Sequence, residues 1–314
     1  MQIAQLSKLD NGSQVEFKAL IGDPEERPSK GNPFIVVGFN DQTGRVEGKI
    51  FSTTLDQFYA RYNVYNGDLV KVYGRANHWN NTFQIVIDNL EVLADSSQVN
   101  PLDYVPSYPK IYVGKARHGL INLAESIEDE RYKKLTKFVM GIDGEKSDFS
   151  QFMNSIGSVN FHHNKGGGLA IHTYGVARIA DRVCKLYNFQ GLIRSRLIFL
   201  ALVHDIQKRE EYISFPVAKR SDLLLTHVPR GASFVEAINM YFGDLLPANE
   251  LVLCQKALLL HHGEWSNYKV NELYREEYPL EAKLLHSFDQ IEACSFDLYE
   301  GNEQAYLEAV FSDF

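Results

Sequence analysis

The first ninety or so residues alternate between apolar and polar positions in short runs, a pattern typical of β-strands. Five runs rich in β-branched and aromatic residues are separated by segments rich in Gly, Asn, Asp and Pro. Between the third and fourth runs, TTLDQFYARYNVY has the apolar spacing of one helix. This layout predicts a five-stranded OB-fold β-barrel over residues 1–93. The runs are QVEFKALIG, PFIVVGFND, GRVEGKIFS, DLVKVYGRA and TFQIVIDNLEVL.

The pattern changes after a connection at residues 94–112, which carries Pro101, Pro106 and Pro109 and is expected to be an extended linker. From residue 113 to 314, apolar residues recur at three- and four-residue steps and no run reads as a strand. We therefore predict an all-α helical bundle as the second domain. Its helical runs are GLINLAESIEDERYKKLTKFVMG, GLAIHTYGVARIADRVCKLY, IRSRLIFLALVHD, ASFVEAINMYF, ELVLCQKALLLHH and LEAKLLHSFDQIEACSF.

Composition and charge narrow the functional classes. The chain is 45% hydrophobic and 23% charged, as in ordinary globular proteins, and its net charge of −8 argues against broad, non-specific binding to nucleic acid. No apolar run approaches the roughly 18 residues of a membrane helix, and the N-terminus lacks the pattern of a secretory signal. An odd set of cysteines without C-x-x-C, Cys184, Cys254 and Cys294, indicates reduced thiols and a cytoplasmic protein.

Barrels of this kind commonly bind single strands by stacking bases on exposed aromatic side chains. Each aromatic candidate has an alternative role in the core of a small barrel, and for any single one of them the core role is favoured. Charge gives no help, since residues 1–95 hold nine Lys and Arg against twelve Asp and Glu. The candidates are Phe34, Phe39, Tyr73, Trp79 and Phe83.

Eight of the ten histidines lie between His162 and His286, within the predicted helical domain. Several successive apolar helices carry a His or Asp at or near an end, where polar groups can converge on one cavity. Burying such groups without partners is costly, so coordination of a cation is expected. Imidazole with carboxylate suits Mn²⁺, Fe, Co²⁺ or Zn²⁺, and the absence of a nearby thiolate argues against a structural zinc site. The candidates are His172, His204, Asp205, His227, His261, His262 and Asp289.

The stretch LIFLALVHDIQKREE places His204 and Asp205 directly after seven apolar residues. Adjacent positions on a helix point about 100° apart, so His204 can bind one metal while Asp205 reaches a second. A capping role for the same residues is the alternative interpretation of this stretch alone.

The motifs together resemble the HD-domain metal-dependent phosphohydrolases, whose pattern is H…HD…D. More closely, the chain is similar to the bacterial YhaM-type 3′→5′ exoribonucleases, in which an OB-fold precedes an HD domain. The resemblance covers nearly the whole chain. It rests on SKGNPFIVVGFNDQTGRVEGKIF, LDYVPSYPK, LAESIEDERYKKL, FHHNKGGGLAIHT, VHDIQK, LLLTHVPRGASF, LLLHHGEW and LLHSFDQIEA.

Carried over residue by residue, the resemblance implies two divalent metal ions, with Mn²⁺ expected first. His172, His204, Asp205 and Asp289 would hold one metal, and Asp205 would bridge to the second. That second metal would be held by His227 with His261, or with His262 as a further ligand or supporting donor.

Two positions depart from the family's pattern. Relatives usually read H-D-[LI]-G-K where this chain has Gln207, and many have a glutamate where this chain has Ile171. Both changes lie beside the expected site, so they leave room for an altered substrate or metal preference.

The expected reaction is two-metal hydrolysis of a phosphodiester bond. Lys208 is expected to contact a phosphate oxygen, His162 and His163 to flank the scissile phosphate, and Arg230 and Lys165 to bind phosphates. The first hypothesis is an exonuclease that acts on single-stranded RNA, with single-stranded DNA as a further substrate. No association with a membrane is expected, and a homo-oligomer is one option. The alternatives are a phosphohydrolase of small nucleotides, cyclic dinucleotides or short oligonucleotides, and a non-catalytic RNA-binding protein with a degenerate HD domain.

Overall fold

The computed structural model describes the chain except for residues 30, 81, 100–102, 144–147, 160–161, 215–216, 221, 264–277 and 300–301. Pro101 of the expected linker and the end of the LLLHHGEW motif therefore lie outside the described residues. The chain divides into two compact units. We call Met1–Ser107 with Ser214–Ala218 the strand unit, and Tyr108–Ile213 with Lys219–Phe314 the helical unit.

The strand unit is built on one sheet, whose strands are β1 (Gln14–Ile21), β2 (Glu25–Arg27), β3 (Phe34–Asp41), β4 (Gly44–Phe51), β5 (Leu69–Trp79) and β6 (Thr82–Ala94). Their order is β1-β5-β6-β4-β3-β2, and β1 also pairs with β3, so five strands form a closed ring and the short β2 lies outside it. The β4–β6 pair is parallel and the others are antiparallel. The predicted OB-fold is confirmed, with β2 as an addition.

Two short helices complete this unit, α1 (Ile3–Leu6) and α2 (Leu55–Tyr62). Helix α2 lies between β4 and β5, as predicted. It begins after Thr54, whose side chain caps the first turn by accepting a hydrogen bond from the Gln57 N–H. The inner faces of the strands and α2 share one apolar core. Phe39 lies fully buried in that core, edge-to-face with Phe17 at 5.9 Å between ring centroids. Phe39 is therefore a core residue, and its candidacy as a base-stacking side chain is wrong.

The helical unit confirms the predicted all-helical domain. The run predicted over residues 119–141 divides into two helices, because the Asp129 side chain accepts hydrogen bonds from two N–H groups and starts a new one. The helices are α3 (Lys110–Glu125), α4 (Glu130–Met140), α5 (Asp148–Asn154), α6 (Gly168–Leu186), α7 (Gly191–Val203), α8 (Lys208–Glu211), α9 (His227–Tyr241), α10 (Ala248–Leu260), α11 (Leu280–Leu298) and α12 (Glu303–Val310).

A pair of short strands, β7 (Tyr212–Ser214) and β8 (Val217–Lys219), follows α8. Three residues per strand are too few for a period of two to stand out from the sequence, so this pair was not predicted. No part of the described chain forms a helix that is both long and apolar enough to cross a bilayer.

Helix α7 is the central helix of the helical unit. Its residues Leu197–Val203 are buried on every side, and it contacts α3, α4, α6, α10 and α11. A helix that is apolar all round is stable only when other helices surround it. The chain leaves α7 at His204 and Asp205, so these two residues emerge in the middle of the unit.

Candidate metal centre

The seven predicted ligands are brought together at one place in the helical unit. His204 and Asp205 follow the end of α7, His227 is the first residue of α9, and the His261–His262 pair follows α10. His172 lies in the second turn of α6. Asp289 lies in the middle of α11, within the predicted run LEAKLLHSFDQIEACSF, whereas the other ligands lie at or near helix ends.

The first group of donor atoms is formed by His172, His204 and Asp289, whose ligand atoms lie within 4.8 Å of one another. The Nε2 atoms of the two histidines are 3.3 Å apart. The Asp289 Oδ1 atom lies 3.2 Å from His172 Nε2 and 3.9 Å from His204 Nε2. Two imidazoles and a carboxylate thus face one point.

The second group is formed by Asp205, His227, His261 and His262, again with donor atoms within 4.8 Å of one another. Asp205 Oδ1 lies 3.3 Å from His227 Nε2 and 3.9 Å from His261 Nε2. The rings of His261 and His262 have centroids 4.2 Å apart, so both members of this pair reach the group.

Asp205 faces both groups. Its Oδ1 atom faces the second group, while its Oδ2 atom lies 3.4 Å from His172 Nε2 and 3.3 Å from His204 Nε2. The carboxylate is 1% exposed and therefore has few alternatives to these partners. One carboxylate with an oxygen directed at each group is the arrangement that two neighbouring cations require of a bridging ligand.

Unpaired buried atoms test whether these residues fit a metal. Asp205 Oδ1, His227 Nε2 and His261 Nε2 are buried and have no hydrogen-bond partner among the described residues. A buried polar atom without a partner costs about 1–3 kcal/mol, and three such atoms facing one point are stabilised together by a bound cation. The residues therefore fit divalent metal ions, and the all-nitrogen-and-oxygen donor set suits Mn²⁺, Fe, Co²⁺ or Zn²⁺.

The outer ring nitrogens of the histidines also have defined partners. Nδ1 of His204 donates to the Ala201 carbonyl at 2.9 Å, and Nδ1 of His261 donates to the Leu258 carbonyl at 2.6 Å. Each acceptor lies three residues earlier, at the end of the same helix. Because Nδ1 carries the proton, Nε2 keeps its lone pair for a ligand.

The Nδ1 atoms of two other histidines are hydrogen-bonded to buried glutamates, which the sequence analysis did not identify as functional residues. His172 Nδ1 lies 2.5 Å from a Glu292 oxygen, and His227 Nδ1 lies 2.7 Å from a Glu211 oxygen. The one available signal was position, since Glu292 follows Asp289 by three residues on one helix face and Glu211 ends the HDIQKREE stretch.

The electrostatics keep most donors in the form that binds cations. Burial raises the pKa of Asp205, but Lys208 and the neighbouring histidines bring it well below its usual value. Burial lowers the pKa of His261 well below its usual value and that of His262 to about 4. His172 and His227 differ. Burial lowers the pKa of each, but Glu292 and the two aspartates raise that of His172 well above the ordinary value, and Asp205 and Glu211 raise that of His227.

Lys208 lies at the edge of the first group. Its Nζ atom is 2.6 Å from Asp205 Oδ2, and the side chain is 14% exposed. Burial lowers the pKa of Lys208, but Asp205 more than offsets this and raises it above the ordinary value, so the side chain is cationic. A positive charge therefore lies beside the donor cluster, and in the absence of a cation it is paired with Asp205.

A cavity of about 1010 Å³ opens onto both groups. Phe296 and Asp297 of α11 line it, and the predicted residues on its wall are His162, His163, Lys208 and four of the ligands, His172, His227, His262 and Asp289. Arg230 is not among the described residues that line it. Lys165 is paired with Glu303 at 2.7 Å, so its charge is already partly balanced.

His163 lies deeper than a substrate-binding residue would. It is 1% exposed, and its ring nitrogens lie 3.1 Å from a Glu292 oxygen and 3.3 Å from the Tyr108 hydroxyl. The structure therefore favours a supporting role for His163, while His162 is the member of the pair that is only half-buried.

The two departures from the family pattern have simple structural settings. Gln207 has φ −83° and ψ −1°, a conformation open to any L-residue, so glycine is not required there. Ile171 is fully buried in the apolar core of the helical unit. Neither residue removes a donor atom from the two groups.

Comparison with known proteins agrees with this layout. An HD domain model matches residues 169–294, and a model described as an OB-fold nucleic acid binding domain matches residues 25–93. Proteins named 3′-5′ exoribonuclease YhaM are similar along most of their length. The one from Bacillus subtilis is 25% identical over 90% of this chain and 85% of its own, and that from Oceanobacillus iheyensis is 27% identical over 84% and 79%.

Among solved structures, a mitochondrial single-stranded DNA binding protein from S. cerevisiae matches 27% of this chain and 99% of its own, with 18% identity and a TM-score of 0.24. The resemblance expected from the sequence motifs is confirmed by the family models and the curated relatives.

Proposed function

We propose that this chain, a metal-dependent hydrolase that joins an OB-fold domain to an HD domain, is a 3′→5′ exonuclease acting on single-stranded RNA, and on single-stranded DNA as a further substrate. The observation that carries the proposal is Asp205, whose two oxygens face two separate groups of histidines. Manganese is the expected metal and a cytoplasmic location the expected one.

The residues of the site would have different roles in phosphodiester hydrolysis. Two divalent cations held by the two groups would supply a water of lowered pKa and positive charge beside the phosphoryl oxygens. Lys208 would add a further positive charge at the same edge of the cavity. His162, on the cavity wall, would donate a hydrogen bond to a phosphate or sugar oxygen.

The strand unit offers a surface for the bases. Phe51 and Trp79 are 54% and 64% exposed, and Phe34 lies 5.9 Å from Phe51 between ring centroids. Lys49 lies 5.7 Å from the Phe34 ring, so a cation accompanies the aromatic pair. Exposed rings beside a positive charge suit stacked bases and their phosphates.

Other aromatic candidates contribute less to such a surface. The Tyr73 hydroxyl donates to Glu91 at 3.1 Å, and Phe83 packs partly against the core of the strand unit. Phe51→Ala should therefore weaken binding of a single-stranded 20-mer RNA by roughly five-fold or more, in line with about 1–3 kcal/mol per stacked base. Fluorescence anisotropy measures this, with Tyr73→Phe as the matched control that should bind normally.

A substrate panel tests the proposal directly. The full chain with Mn²⁺ is given a 5′-labelled 20-mer RNA, the same DNA sequence, nucleoside triphosphates and cyclic dinucleotides. A ladder of products shortened from the 3′ end supports the exonuclease. Hydrolysis of the small nucleotides with an intact 20-mer would establish the alternative, a small-nucleotide phosphohydrolase.

The role of Asp205 has its own test. Asp205→Ala should abolish hydrolysis and reduce bound metal while circular dichroism reports an unchanged helix content. Asp143→Ala removes an exposed carboxylate of the same unit that pairs with Lys137, and should leave both properties unchanged. Normal hydrolysis in Asp205→Ala would exclude the two-metal mechanism.

A non-catalytic RNA-binding protein remains the contrasting hypothesis. If the HD domain were degenerate, the purified chain would contain no bound metal and would hydrolyse none of the substrates in the panel. The complete set of donors in the two groups favours the enzyme.

A further inference from the structure

We infer that Glu292 and Glu211 are positioning residues, each holding one histidine of one metal group so that its Nε2 atom faces the cation. Glu292 serves the first group through His172, and Glu211 serves the second group through His227. The inference rests on the metal-binding part of the proposed function and is independent of the substrate.

Glu292 is the centre of a buried network. It is 2% exposed, and its Oε2 atom accepts a hydrogen bond from His172 Nδ1 at 2.5 Å. Its Oε1 atom lies 3.1 Å from His163 Nε2 and accepts a hydrogen bond from the Tyr306 hydroxyl. A carboxylate fixed by three partners cannot turn away from His172, so the ring orientation is fixed as well.

Glu211 holds His227 in a similar way. It is 1% exposed, and its Oε2 atom accepts hydrogen bonds from both the backbone N–H and the Nδ1 atom of His227, the latter at 2.7 Å. His227 begins α9, so the same carboxylate also occupies the positive end of that helix. Ring and helix start are thereby held by one side chain.

The two groups share one design. In each, one histidine donates Nδ1–H to a backbone carbonyl (His204 in the first group, His261 in the second), and another donates it to a buried glutamate (His172 and His227, respectively). A carboxylate acceptor keeps the Nδ1 proton in place, so Nε2 is the nitrogen that gives up its proton and binds when a cation is present, and the carboxylate makes Nε2 a better ligand. The glutamates are therefore the side chains through which each metal position can be altered separately.

Gly175 supports the assignment from the neighbouring helix. It lies one turn after His172 on α6, and a Cβ atom there would stand 2.7 Å from Glu292 Cγ and 3.0 Å from Glu292 Oε1. Alanine is the better helix former, so room for Glu292 is the physical reason for a glycine at this position. Gly175→Ala consequently displaces Glu292 without changing a ligand or the glutamate itself.

The experiment is a titration of the metal-free full chain with Co²⁺ alone, followed by the d–d absorption of the bound ion. Wild type should bind two equivalents. Glu292→Gln and Glu211→Gln should each weaken one equivalent by about 10–100-fold and leave the other unchanged. The two variants should affect different equivalents, and the two-bond ¹⁵N–¹H spectrum of labelled histidines should show a changed tautomer at one ring in each.

Gly175→Ala should weaken the same equivalent as Glu292→Gln. Its matched control is Gly114→Ala on α3, where no described atom lies within 4 Å of the added methyl group. Tyr306→Phe, which removes one hydrogen bond from Glu292 and touches no ligand, should shift that equivalent in the same direction by a smaller factor. This conservative variant keeps the test available if a glutamine variant does not fold.

Two results would overturn the inference. One is unchanged affinity for both equivalents in the glutamine variants. The other is a third equivalent in wild type that disappears in Glu292→Gln, which would make Glu292 a ligand together with His162 and His172. Because metal binding is measured without substrate, an intact 20-mer RNA in the substrate panel would disprove the exonuclease alone.

Discussion

Buried polar side chains occur in both units, but they have different partners. In the strand unit, Asp41 accepts hydrogen bonds from the N–H groups of Ile3 and Thr43, each at 2.7 Å. Asp68 accepts from the N–H groups of Tyr65 and Ser96, each at 2.8 Å. These carboxylates satisfy backbone groups of turns and strand ends, so they stabilise the fold.

Single buried polar atoms without a partner occur in both described units, Tyr62 Oη of the strand unit among them. The helical unit differs because three such atoms, Asp205 Oδ1, His227 Nε2 and His261 Nε2, lie together at one place. The Nδ1 atoms of His227 and His261 have hydrogen-bond acceptors, but the Nε2 atoms of these two rings have no partner among the described residues. This difference between the two units shows that burial of a polar residue does not by itself indicate function. An unpaired buried donor set does, because only a ligand restores the lost interaction energy.

Removal of one unpaired imidazole is the largest expected change. His261→Leu should lower the affinity for the second Co²⁺ equivalent by about 100-fold or more, equivalent to about 2.7 kcal/mol. The metal-free chain should lose little stability, because the variant also removes a buried atom that had no partner. Metal titration and urea unfolding measure the two effects, and a stability loss of the metal-free chain as large as that of a core truncation would contradict the comparison.

Addition of metal should stabilise one unit only. At a metal concentration of 100 times Kd, binding stabilises the folded state by about 2.7 kcal/mol. Hydrogen exchange of the full chain, followed by mass spectrometry, should slow in peptides from α6, α7 and α10 when Mn²⁺ is added. Peptides from β1 to β6 serve as the internal control, and equal slowing there would mean that the ion acts outside the two groups.

Asp41→Ala should have the opposite profile to His261→Leu. It leaves the buried N–H group of Ile3 and the partly buried N–H group of Thr43 without their acceptor and should destabilise the strand unit by about 1–2 kcal/mol. Both Co²⁺ equivalents should bind as in wild type. Urea unfolding followed by the fluorescence of Trp79, in a Trp265→Phe background that leaves one tryptophan, reports the change. Weakened metal binding in Asp41→Ala would contradict the distinction between the two units.

The smallest expected effect concerns chemical labelling of the three cysteines, which requires no change in the stability of the protein. Burial raises the pKa of Cys184 to about 11 and that of Cys254 to about 12, so at pH 8 these thiols are almost entirely protonated and unreactive. Cys294 is exposed. Iodoacetamide at pH 8 should modify Cys294 alone, as read by peptide mass, and modification of Cys184 should begin only as the pH rises towards 11.

Local patterns predicted most of the elements. The strands of the OB-fold and the apolar helix α7 follow from periodicities of two and 3.6 residues, which depend on neighbours in the chain. The pattern favoured a core role for any single aromatic candidate, and Phe39 has that role, but the pattern did not say which candidates are exposed. It placed Asp289 inside a helical run, but the packing of α11 is what brings this side chain to the same cavity as residues at the ends of other helices.

The sequence by itself determined which atoms are available to a cation. Histidines and aspartates in a fixed order along apolar helices specify nitrogen and oxygen donors and exclude thiolates. Only the tertiary structure decided how these donors are shared, with one oxygen of Asp205 facing each group. It also decided what supports them, because Glu292 meets His172 across 120 residues of chain. Such contacts depend on how helices pack, which no local spacing of residues encodes.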